Sequence, residues 1–181
     1  MNRRRLLGVL GVGVLAKPSD NRAAEPAEVA ALTVRIVPTS YREKGGPAIE
    51  LDRPSDHFHV VVTNVSGQPI RVWSERCSWG YSNLSFQLTD DAGRSVEVSK
   101  VRRAWTKNAA VTEIIPPGGH YVREVTFDPQ TWYGWPLPEA NEHKAVRMKA
   151  IYDIRPEGLT TKRGVWTGQV SSPEESYELS R

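Results

Sequence analysis

Cysteine is almost absent from this chain. Cys77 is the single one in 181 residues, so no internal disulfide can form and the fold must rest on burial alone. Long apolar runs are absent too. The longest lies between Leu6 and Ala16, about a dozen residues, short of the ~20 that cross a bilayer as a helix. No sign of charge dominates. The formal net charge is +3, and part of that excess sits at Arg3, Arg4 and Arg5, which does not support a nucleic-acid footprint. Catalytic signatures are missing as well. There is no Gly-x-Ser-x-Gly, no His-Glu-x-x-His and no phosphate-cradling glycine loop. Asp90-Asp91 falls in a turn, where aspartate serves the backbone, and Glu174-Glu175 falls in a polar tail. No segment shows the 3.6-residue period of an amphipathic helix.

What is present is alternation. In His57–Trp73, Phe58, Val60 and Val62 share one face of an extended segment, with His57, His59, Val61 and Thr63 on the other. Side chains switch faces at each residue of a strand, so this pattern is a half-buried strand. Asn64, Ser66, Gly67 and Pro69 interrupt it, and Ile70 and Val72 resume it, which reads as a hairpin. Leu32, Val34 and Ile36 form an earlier strand, and Ile49 with Leu51 a short one. Leu84, Phe86 and Leu88, the turn Asp90–Arg94, then Val96 and Val98 read as a second hairpin. Val111–Ile115 is short and ends at Pro116-Pro117-Gly118-Gly119. Tyr121, Val125 and Phe127 share a face on which Arg123 is out of place. Val146, Met148, Ala150, Tyr152 and Ile154 form the cleanest run; Gly164–Val170 is read as a strand, and Tyr177 and Leu179 close the chain. Residues 156–163 are read as a loop. Short strands separated by Gly and Pro turns predict an all-β fold, an immunoglobulin-like antiparallel β-sandwich of roughly seven to nine strands. The Cys-Trp-Cys signature of antibody domains is absent, so the expectation concerns architecture alone.

Met1–Ala16 has a basic start, an apolar run and a small-residue end, the pattern of a cleaved export signal. Arg3-Arg4-Arg5-Leu6-Leu7 resembles a twin-arginine signal, and ordinary leaders also begin with several basic residues, so both routes stay open. No Cys follows the run, which argues against a lipid anchor. Residues 17–28, rich in Pro, Ala and charge, form a flexible lead-in, and 29–181 a single domain. The expected location is periplasmic or extracellular.

Trp132, Tyr133 and Trp135 crowd one Gly- and Pro-bearing loop. They are the candidate ligand-binding residues, since flat aromatics stack on sugars and anchor protein partners. The competing reading has the loop folding back to cap the core. His57 and His59 share a strand face and could reach one metal with a third ligand, for which Asp56, His120 and His143 are available. Their spacing demands no metal, and no cofactor is implied. Cys77 lacks the downstream His and Met of a blue-copper loop and reads as a small buried hydrophobe. Arg102, Arg103, Trp105 and Lys107 form a basic-aromatic patch that reads as a solvated face. Asn64-Val65-Ser66 and Asn83-Leu84-Ser85 match glycosylation acceptors.

Ser78-Trp79-Gly80-Tyr81, Asn83-Leu84-Ser85-Phe86, Ala104–Asn108 and Gly164–Pro173 together carry a resemblance. From about Leu32 onward the chain resembles a group of exported bacterial β-sandwich proteins with no assigned activity. Asn64–Pro69 is similar to a motif of immunoglobulin-like inhibitor and adhesion modules. These resemblances imply a fold and no site. The expected function is a non-catalytic binding or structural module of the cell envelope, with a protein or carbohydrate partner. Two alternatives are an exported metal-binding protein using His57 and His59, and a hydrolase with a site assembled from distant residues.

Overall fold

The computed structural model describes residues 30–42, 46–50, 56–106, 108–134, 138–139 and 141–181. The expected leader and lead-in, Leu51, Lys107 and Trp135 lie outside the described residues. In chain order the elements are β1 (Leu32–Val37), β2 (Ser40–Arg42), β3 (Gly46–Glu50), β4 (Phe58–Asn64), β5 (Ile70–Trp73), α1 (Ser78–Tyr81), β6 (Leu84–Thr89) and β7 (Ser95–Lys100). They continue as β8 (Thr112–Ile115), β9 (His120–Val125), β10 (Trp132–Tyr133), β11 (His143–Ile154), α2 (Gly158–Arg163), β12 (Gly168–Ser171) and β13 (Glu175–Ser180). The protein is an all-β sandwich, as the alternation requires. It has more strands than expected in part because β2 and β10 are short pieces at the two edges of the large sheet.

One layer has the order β1-β4-β9, and the other β10-β7-β6-β11-β13-β3-β2 with β12 beside the end of β11. Pairing is antiparallel except between β13 and β3, which run parallel. The inward positions are those the period-two pattern selects. Leu32, Val34, Ile36, Phe58, Val60 and Val62 come from the small layer, and Leu84, Phe86, Leu88, Met148, Ala150, Tyr152 and Leu179 from the large one. Phe58 meets Phe86 across the two layers at 5.7 Å between ring centroids, and Phe127 closes on both. Each such ring taken from water contributes about 1.5–3 kcal/mol.

Four local expectations are corrected. β4 and β5 are not a hairpin. β4 pairs β9 with Thr63 opposite His120, and β5 pairs β8 with Ile70 opposite Ile115. Both strands therefore continue past the interruption as one long ribbon, with residues 65–69 bulging from one side and 116–119 from the other. Residues 158–163 form a one-and-a-half-turn helix, α2, closed by Gly164 in the left-handed region at φ 61°. Residues 164–167 are not strand; β12 begins only at Gly168. The short strand expected at Ile49 and Leu51 starts earlier, at Gly46, and pairs as β3 with Ser40–Arg42 of β2.

Candidate functional site

Trp132 starts β10, which adds to the edge of β7. Its indole is buried, edge-on to Phe86 at 5.4 Å and to Phe127 at 5.8 Å. That is the geometry of a capping residue. Tyr133 alternates to the other face and is 58% exposed. The structure therefore sends the two aromatics to opposite sides of one strand. Lys100 lies behind Trp132, its Nζ 4.5 Å from the Tyr81 ring centroid and 5.3 Å from that of Trp132. Burial, then the nearby Arg123 charge, pushes the Lys100 amine below its ordinary value.

Ser78–Tyr81, a segment singled out for resemblance alone, builds a more concave feature. α1 is a single turn in which the Gly80 and Tyr81 amides donate to the Cys77 carbonyl. A side chain at Gly80 would stand 2.1 Å from the Ser74 carbonyl oxygen, so only glycine lets the turn close on the end of β5. Cys77 is buried beneath it with its thiol toward the Ser74 carbonyl at 3.2 Å, as the hydrophobe reading requires. The turn places Trp79 beside the buried Trp73, ring centroids 5.7 Å apart. Asn108 fixes the other side of the turn, accepting from the Ser78 amide at 3.0 Å and donating to Ser78 Oγ at 2.6 Å. A cleft of about 440 Å³ opens there. Trp79, Ser78, Ser82, Asp153, Arg155, Glu157 and Thr160 are among the residues that line it. α2 supplies Thr160, and the end of β11 supplies Asp153.

Behind the cleft is a buried polar centre. Arg123 lies on the inward face of β9, with its Nε paired to the Glu75 carboxylate. Arg123 Nη1 lies 3.5 Å from the Gly80 carbonyl oxygen it donates to, and the Tyr121 hydroxyl accepts from the Glu75 amide at 3.0 Å. Burial raises the Tyr152 phenol far above its ordinary value, with Arg123 and the Asn83 amide acting in the opposite sense. No sequence signal marked this centre except the misfit of Arg123 on an apolar face.

His57 and His59 do share an outward face, rings 5.1 Å apart and edge-on. Glu124 on β9 stands directly opposite His59. Among the described residues these three place one ligand atom each within 4.8 Å of one another. His120 lies on the same face but its Nδ1 engages Thr63 Oγ1 at 2.9 Å, and His143 pairs with Glu178 on the other layer at 3.0 Å. Arg103 stacks on Trp105 in the basic patch, the guanidinium carbon 5.2 Å from the ring centroid. Asn64 is fully buried, which removes it as a glycosylation acceptor on the folded chain. Among the described residues no helix is long and apolar enough to cross a membrane. Comparison with protein-family models, with curated proteins and with solved structures returned no match.

Proposed function

We propose that this chain is an exported, non-catalytic β-sandwich module that captures a carbohydrate of the cell envelope in the cleft beside Trp79. Export rests on the pattern of Met1–Ala16. One observation carries the binding reading: a half-buried indole held against Trp73 shares a concave wall with residues that bear hydroxyl, carboxylate and guanidinium groups. Polar groups that both donate and accept, set around an aromatic face, suit a polyhydroxylated ligand, and rigid aromatics lose little entropy when they bind. The candidate loop fits less well, since the Trp132 indole is buried and not open to a ligand. The resemblance to exported sandwich proteins accords with this role and adds no ligand.

Glycan-array binding with the purified chain tests it. Trp79→Ala and Asp153→Asn should each weaken capture by about tenfold or more, a loss of ~1.4 kcal/mol. Tyr133→Ala should leave it unchanged. Capture that survives both cleft substitutions, or follows Tyr133, would move the site to β10 and its loop.

A further inference from the structure

A separate feature lies on the outer face of the small layer, away from the cleft. His57 immediately precedes β4 and His59 is its second residue, so extended geometry puts both imidazoles on one side. Antiparallel pairing sets Glu124 of β9 opposite His59 and diagonal to His57. The register is fixed by burial: a one-residue slip would turn Phe58, Val60, Val62 and Val125 outward. The three side chains are thus brought together by the packing of the core, from positions 65 residues apart in the chain.

We propose that His57, His59 and Glu124 form a divalent-cation site of the zinc class. Two imidazole nitrogens and one carboxylate oxygen are a known three-ligand set for zinc, bound at ~2.0–2.2 Å. Donor atoms around such an ion stand about 3.3–3.5 Å apart by tetrahedral geometry. The ligand atoms already lie within 4.8 Å of one another, so side-chain rotation of about an ångström closes the set without moving backbone. His57 and Glu124 are exposed and His59 half-buried, which leaves an ion a path of entry. The mixed nitrogen–oxygen set suits a borderline cation better than the all-oxygen preference of magnesium or calcium. Val37, opposite His59 on the other side, and Val122, beside Glu124, lend the site an apolar margin. Three protein ligands leave one position for water or for a donor from a partner.

Equilibrium dialysis of the exported, purified chain against Zn²⁺ tests the proposal, with Co²⁺ as a spectroscopic probe. The expected result is one ion per chain, a rise in melting temperature with added Zn²⁺, and a visible cobalt band of low-symmetry tetrahedral type. His59→Gln and Glu124→Gln should each weaken binding at least ~10-fold and abolish the thermal shift. His120→Gln should change neither. All these side chains are at the surface, and far-ultraviolet circular dichroism should report the parent fold in each variant. Absence of stoichiometric zinc, or equal loss in His120→Gln, would overturn the site. Either result leaves the cleft reading untouched, since Trp79 is not involved.

Discussion

Arg123 occupies a position that an apolar residue would fill by pattern, between the inward Tyr121 and Val125. Its side chain is 1% exposed, whereas that of Glu75, its partner, is 39% exposed. The two ends of this ion pair therefore do not cost the same to leave alone. A guanidinium stripped of its carboxylate stays buried and uncompensated, while a freed Glu75 turns to water. Glu75→Ala should destabilise the fold by about 2–4 kcal/mol, and Arg123→Met, which keeps the aliphatic stem and removes the charge, by less than ~1.5 kcal/mol. Urea unfolding of the two variants decides it, and the opposite ranking would show that Arg123 is held by its packing and not by Glu75. Sequence reading met this residue only as an irregularity in the register of β9. Its partner arrives from the loop after β5, and no spacing rule connects positions 75 and 123.

Alternation identified faces well and partners poorly, and the ribbon β4–β5 against β8–β9 shows why. A period of two says which side chains go inward, but the same polar residues that reverse a chain also line a bulge. Asn64 does the second. Its amide donates to the Gln68 carbonyl at 2.7 Å and to the buried Ile115 carbonyl across the ribbon at 2.9 Å. Its side-chain oxygen accepts from the Ser66 amide at 2.9 Å and hydroxyl at 2.7 Å, and its backbone bonds both Gly118 and Gly119. One residue thus ties both interruptions, so the ribbon continues where a hairpin was expected. Asn64→Ala leaves a buried carbonyl and the bulge unsupported, and should cost about 3 kcal/mol by denaturant melt, against ~1 kcal/mol for Ser66→Ala. Similar losses would mean that the bulge is set by its backbone alone. The same gap hid the metal candidate: His57 and His59 were legible as a pair, but Glu124 becomes their third member only once β9 is known to lie beside β4. The Trp79 cleft needed α2, whose six residues are too few to display a helical period.

At the scale of the whole molecule, the two layers share a titration that no single strand displays. Tyr121 on β9, Tyr152 on β11 and Tyr177 on β13 all have phenols raised above the ordinary value, each chiefly by burial. Tyr177 also donates to the Glu175 carboxylate at 2.9 Å, which penalises its ionisation further. An unfolded tyrosine ionises near ~10. Below that pH both states keep these protons and stability does not depend on them. Above it the unfolded chain releases protons that the native sandwich retains, so it binds fewer and stability falls as pH rises, by up to about 1.4 kcal/mol per pH unit for each group. Lys100 acts in the other sense. Its lowered value means the native state sheds a proton that the unfolded state keeps until its ordinary 10.5, so its contribution rises with pH and is complete by then. The sum is a stability that holds or climbs slightly to about pH 10 and then drops steeply. Urea midpoints between pH 8 and 11 measure it directly. Tyr177→Phe should make the alkaline fall shallower by roughly a third, since one of three groups is gone. A flat profile through pH 11 would mean that water reaches these rings and that the two layers are less tightly closed than the burial of Tyr152 and Tyr177 requires.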